Sequence, residues 1–201
     1  MARGRPPATR RVFSIDALEL VPPRTAALDT SFVVDALLET QPLHQLCARF
    51  AAHLVEAETT VVTSELLEVE LAEAAFAITL KERWGRAWRQ HRADDRARRP
   101  ARRLLEQVMT RLDALLSSVA HVSVPVGRVS SSAATLMARY GLASYDAVHA
   151  AAAIVADAEA IVTLDTGFAL LPQSLLAVYT DRSRLASCRA KRPPRSGRRP
   201  G

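Results

Sequence analysis

The chain has only two cysteines, Cys47 and Cys188, far apart and in no recognisable spacing. That excludes both a disulfide framework and a cysteine-based zinc site. No apolar run is long enough to cross a bilayer, and no internal repeat is visible. The stretch TRRVF near the start superficially matches a twin-arginine export signal. The uncharged apolar segment that should follow it is missing: Asp16, Glu19 and the Pro22-Pro23 pair stand there instead. An export signal is therefore not expected, and the cytoplasm is the expected compartment. Positive charge is also scarce where the net +6 would suggest it. Residues 1–25 carry five arginines against two acids, and residues 183–201 carry seven basic residues and no acid. The stretch between them has a slight excess of acids. The tail ASCRAKRPPRSGRRPG has the composition of a disordered basic arm, suited either to attracting phosphate or simply to solvating the chain end.

What is present is enough for one folded domain: 201 residues, 49% of them hydrophobic. Short β-branched or apolar runs alternate with helical patterns. TAALD, TTVVTS, VAHVSV, AIVTL and LLAVYT read as strands. Between them, Ser31 is expected to cap a helix to about Glu39, and Pro42 to start a second. Ser64 is expected to cap a long third, and Ser144 the alanine-rich SYDAVHAAAAIV. Arg99-Pro100 reads as a helix break, and Gly141 as a helix stop. This alternation predicts an α/β sandwich with a mainly parallel sheet. The expected organisation is a basic arm over 1–24, one domain over 25–182, and a disordered basic tail over 183–201.

In parallel sheets the functional crevice lies beyond the carboxyl ends of the strands. Asp29 follows the first strand, and Asp165 follows AIVTL. Asp146 begins the alanine-rich helix, with His149 on the same face three residues on. Each has an ordinary alternative. Asp29 can be a turn residue, Asp146 a first-turn acid facing the helix dipole, His149 a satisfied core residue, and Asp165 an Asx turn with Gly167. Of the acids in the third helix, Glu70 lies beside Leu66, Leu67, Ala74 and Ala77, and Glu73 between Leu66 and Val69. Periodicity leaves both open, with Glu65 and Glu68 on a solvated face. Carboxylates about 4 Å apart repel by roughly 4 kcal/mol at an effective dielectric near 20. A converging set must therefore take up protons or bind cations. Without His or Cys ligands, the favoured ions are hard ones, Mg²⁺ or Mn²⁺, which serve phosphate chemistry.

The stretches LDTSFVVDALLE, VVTSELLEVELAEA, LASYDAVHAAAA and AIVTLDTGF, in that order, resemble the PIN-domain ribonucleases, and among them the VapC-type toxins of toxin–antitoxin systems. The resemblance covers about residues 26–181. It implies a PIN-like α/β/α sandwich and a Mg²⁺- or Mn²⁺-dependent endoribonuclease that leaves a 5′-phosphate and a 3′-hydroxyl. By position, Asp29, Glu70, Asp146 and Asp165 match the four catalytic acids. Asp29 and Asp146 are then metal ligands, with Glu70 and Asp165 as further ones. Thr30 and Ser31 match small hydroxyl residues near the metal, Thr163 matches a Thr beside the fourth acid, and His149 becomes a companion of the third. Implied partners are an RNA substrate, a cognate antitoxin and a second copy in a homodimer. The chain departs from the resemblance in a longer helical region over about Lys81–Ser118 and in its basic ends.

An acidic pocket repels RNA, so cations must stand nearby. Residues 81–103 hold ten basic residues against three acids, which makes Arg83, Arg86 and Arg89 candidate RNA contacts. Trp84 and Trp88 suit either base stacking or packing. A catalytically silent PIN-like module that binds RNA is the alternative function. A haloacid-dehalogenase phosphatase is disfavoured, because Ser31 stands where a second Asp would be needed.

Overall fold

The computed structural model describes residues 11–17, 20–172 and 174–190. Among these, six strands form one wholly parallel sheet: β1 (Val12–Ser14), β2 (Thr25–Leu28), β3 (Thr60–Ser64), β4 (His121–Val124), β5 (Ala160–Val162) and β6 (Ala177–Thr180). Their spatial order is β1-β6-β5-β2-β3-β4. Seven helices accompany them: α1 (Thr30–Leu37), α2 (His44–Glu56), α3 (Leu66–Trp84), α4 (Asp95–Ser117), α5 (Val126–Tyr140), α6 (Ser144–Val155) and α7 (Leu185–Ala190).

The strands are apolar because both faces of the sheet are covered. Ala26, Leu28, Val61, Ala160 and Val162 share a core with Phe32, Phe50, Leu67 and Leu112 of α1 to α4. Alternate residues Ala27, Val62 and Ile161 point the other way, into a core with Val129, Leu136 and the alanines of α6. Ala147 and Ala150 to Ala153 are all buried, and α6 packs on β2 and β3. A run of methyl side chains allows that close approach.

From β2 the chain winds to one side through β3 and β4, then crosses to the other side for β5 and β6. The reversal puts a crevice outside the carboxyl ends of β2 and β5. Asp29 ends β2, and Thr163-Leu164-Asp165 follows β5.

Several local expectations are corrected. Residues 1–24 are not all a loose arm: β1 extends the sheet by pairing Val12 with Val178 and Ser14 with Thr180, and Val12 and Ile15 are buried. An apolar VFSI segment gains more from covering a sheet edge than from solvent. The tail boundary also moves, because α7 occupies 185–190 and buries Cys188. Residues 1–10 and 191–201, where most of the terminal basic charge lies, are outside the described residues. Ser31 does not cap α1; Asp29 is the N-cap and accepts from Ser31 N. Ser144 is the first residue of α6, not its cap. Pro100 lies inside α4, and the chain instead breaks at Gly85, at a φ of 53° that favours glycine. Helix α4 restarts at an Asp94 cap, and Pro100 forgoes one backbone bond near the helix start.

Candidate active site

The carboxyl edge of the sheet joins Asp29 to the end of β5 through side-chain hydroxyls. Asp29 Oδ2 accepts from Thr163 Oγ1 at 2.8 Å and also from the Ser31 hydroxyl. Ser31 Oγ in turn accepts from Leu164 N at 2.9 Å, and Thr163 Oγ1 accepts from Asp165 N at 2.8 Å. Asp29 is 5% exposed. Burial is the largest influence on its acidity and pushes its pKa up. The bonds from Ser31 and Thr163 and the His149 charge work against burial, while Glu70 adds to it.

Glu70 comes from α3 and is anchored from two elements. Its Oε2 accepts from the Thr30 hydroxyl of α1 and meets His149 Nε2 of α6. His149 is 2% exposed, and Ser64 Oγ lies 3.1 Å from its Nδ1. Burial opposes a charged His149. The bond to Glu70 and the charges of Asp29, Glu70 and Asp146 outweigh it and raise its pKa. Glu73, one turn on, faces outward and pairs with Arg92, Nη1 to Oε1 at 2.6 Å; that pair lowers its pKa. Glu65 accepts from Val126 N, and Glu68 is exposed. On the metal-dependent RNA cleavage that the sequence resemblance implies, Glu70→Gln is expected to lower activity by about a hundredfold, the upper range for groups that organise a metal site. Glu73→Gln should change it less than about threefold, the scale of losing an exposed pair. Measured turnover with the opposite ranking would show that the working glutamate is one turn away.

Asp146 is in the first turn of α6, half-buried, with no hydrogen-bond or ion-pair partner for its carboxylate among the described residues. Burial, followed by the charges of Asp165, Asp29 and Glu70, raises its pKa to about 6. Asp165 is exposed and makes the Asx turn, its Oδ1 accepting from Gly167 N at 2.6 Å. A Cβ at Gly167 would stand 2.8 Å from Asp146 Oδ2 and 3.2 Å from Asp165 Oδ1. The two carboxylates thus flank space that only glycine leaves open. Gly167→Ala should force them apart and, on the metal site that the sequence resemblance implies, weaken Mn²⁺ binding about tenfold, read by calorimetry. Unchanged affinity would mean that the two acids do not share a cation.

An open groove of about 1380 Å³ runs from Glu70, Asp165 and Tyr145 along α3 and α4. Its cations are Lys81, Arg92, Arg98, Arg102 and Arg184. Arg83, Arg86 and Arg89, the residues nominated from charge density, do not line it. Arg83 sits over the Trp84 ring at the end of α3, and Arg89 over the Trp88 ring on the turn Gly85–His91. Trp84 also stacks on His91 at 4.8 Å, so this tryptophan is used in packing. Arg184 falls within the expected tail; the signal that places it in the domain is Asp181, whose carboxylate holds it beside the sheet.

The four acids matched by position, Asp29, Glu70, Asp146 and Asp165, thus come from four elements to one edge of a parallel α/β sheet. Residues 26–173 match the PIN domain family. The chain is a PIN-domain protein. PIN domains are in general nucleases, and this PIN domain carries its acids where such a crevice lies. No curated protein matches the chain closely enough to name a relative. No helix among the described residues is long and apolar enough to cross a membrane. Among the described residues, no three His, Cys, Asp or Glu side chains are already gathered as a ligand group. The donor chemistry nevertheless fits a hard divalent cation. The acids offer only oxygen, the Asp146 carboxylate has no hydrogen-bond or ion-pair partner among the described residues, and burial, followed by the neighbouring carboxylates, raises its pKa.

Proposed function

We propose that this PIN domain is a Mg²⁺- or Mn²⁺-dependent endoribonuclease of the VapC type, the toxin of a toxin–antitoxin pair, acting in the cytoplasm. The observation that carries the reading is the Asp146 carboxylate, its pKa raised and without a hydrogen-bond or ion-pair partner among the described residues, near the charges of Asp165, Asp29 and Glu70. A cluster in that state gains most from a cation. Asp29 and Asp146 are the residues that would hold it, with Glu70 and Asp165 beside them. When bound, the cation offsets charge on the phosphoryl oxygens and activates water.

The chain's own residues do the remaining work. Asp29 is held by Ser31 and Thr163 and so cannot turn away from the crevice. Glu70 uses Oε2 for Thr30 and His149, leaving Oε1 to accept a proton from water. Lys81, Arg98 and Arg102 attract the phosphates that the acids repel and lead the strand along the groove. Arginine suits this because its planar fork binds phosphate oxygens in pairs.

The reading implies a homodimer and an antitoxin whose basic side chain occupies the acidic crevice. Two measurements test it. Purified protein should cut RNA with Mg²⁺ or Mn²⁺ and stop on chelation. Expression alone should slow growth, and co-expression of the adjacent reading frame should restore it. Cleavage that survives chelation overturns the metal-dependent mechanism, and normal growth overturns the toxin role. Salt-sensitive RNA binding without cleavage is the outcome expected of a silent binding module.

A further inference from the structure

Ser64 ends β3 just before α3, where its hydroxyl was expected to cap the helix. It does not: Glu65 holds the cap position, and no side chain caps α3. The hydroxyl instead lies 3.1 Å from His149 Nδ1, with Ser64 only 3% exposed. On the other side of the ring, Nε2 meets Glu70 Oε2, which the Thr30 hydroxyl also reaches. Oε1 has no hydrogen-bond partner among the described residues.

The chemistry of this chain is directional. An ionised carboxylate only accepts, so Nε2 must carry a proton. A neutral ring then presents an acceptor at Nδ1, whereas a protonated ring presents an N–H there. A hydroxyl satisfies either form without moving, by donating to the first or accepting from the second. A carbonyl or carboxylate would serve only the second. A buried nitrogen left unpaired carries a desolvation penalty, so a ring without Ser64 would turn to find another partner. Glu70 would turn with it.

We propose that Ser64 is a positioning residue: acting through the His149 ring, it determines which oxygen of Glu70 is engaged and which is left free. The proposal rests on Glu70 belonging to the site described above. It explains why a serine at a helix start leaves that helix without a side-chain cap, and why a histidine is buried among the alanines of α6.

The test uses the metal-free full chain with ¹⁵N-labelled histidine and ¹³C-labelled glutamate, alongside RNA cleavage kinetics. Glu70→Gln assigns the Glu70 carboxyl signal and the Nε2 signal that responds to it. Ser64→Ala should then move both the His149 Nε2 signal and the Glu70 carboxyl signal, although Ser64 contacts neither atom. Cleavage should lose about tenfold in kcat with KM unchanged, the scale found when groups supporting a metal ligand are removed. Ser64→Cys keeps the shape with a weaker hydrogen-bonding group, and should move the same signals less. It also carries the test if the alanine variant does not fold. A Glu70 signal that stays in place in the folded variants, or a kcat that does not fall, overturns the proposal. If the wild-type chain itself cuts no RNA, the nuclease reading falls, and the Glu70 signal alone decides the role of Ser64.

Discussion

Asp29→Asn is expected to leave the fold intact and to remove metal-dependent RNA cleavage, by about a thousandfold or more. The volume hardly changes, and an amide oxygen can still accept from Ser31 and Thr163. What disappears is a charge that, on the proposed mechanism, helps hold the cation. A metal site supplies several kcal/mol of charge stabilisation, and each 1.4 kcal/mol is a factor of ten in rate. Because Asp29 is buried and its pKa is raised, the variant should be no less stable than the wild type without metal. The decisive measurements are cleavage rates in Mn²⁺ and thermal melts in chelator. A variant that is stable and fully active would exclude Asp29 from the chemistry.

Asp146→Asn should abolish growth arrest while stabilising the metal-free protein at neutral pH. The pKa of Asp146 is about 6 in the folded chain, against about 3.9 for a free side chain. A raised carboxylate pKa means that the folded state prefers the protonated form. The cost of ionisation is absent below about pH 4 and complete above about pH 6. Metal-free wild type should therefore gain stability as pH falls from 7 towards 5, and the Asn variant should lack that part of the gain. Allowing for solvent screening of a half-exposed group, the difference at pH 7 is about 1 kcal/mol. That corresponds to about 2–4 °C in Tm for a chain of this size. The raised pKa of His149 acts in the same direction in both proteins, and Asp146 is the last of its causes. Comparing the two melts therefore isolates Asp146. An antitoxin that places a basic side chain in the crevice should bind the variant less tightly. Growth arrest undiminished by Asp146→Asn would place the toxicity outside the acidic crevice and favour a binding role for the basic surfaces.

The departures of Ser31 and Ser64 from helix capping share a cause. Three serines are expected as helix caps, yet Ser31 donates to Asp29, Ser64 faces His149, and Ser144 is the first residue of its helix, behind an Ala143 cap. A hydroxyl next to a helix start has local partners that sequence shows and distant ones that it does not. For Ser64 the distant partner is the buried His149 ring and for Ser31 it is Leu164 N, and leaving buried polar groups unpaired costs more than a missing cap. The choice between Glu70 and Glu73 was similar. Both lie near the apolar stripe of α3, and a difference of one helical turn separates a side chain facing Thr30 and His149 from one facing Arg92.

The sequence by itself determined the class of fold and the positions of the acids. Apolar runs of strand length separated by helical repeats admit a parallel sheet, and such a sheet presents its strand ends on one side. The placing of Asp29 and Asp165 just after strands is therefore readable from one dimension. Only the tertiary structure decided what those acids touch. It put β1 on the far edge beside β6, closed a hydroxyl network between the ends of β2 and β5, and left space at Gly167 for two carboxylates. It also lined the groove with cations from α3, α4 and the end of the sheet, not with the arginines that were densest in sequence. Strand order, helix rotation and side-chain partners depend on contacts between residues distant along the chain, and composition and spacing do not encode those distances.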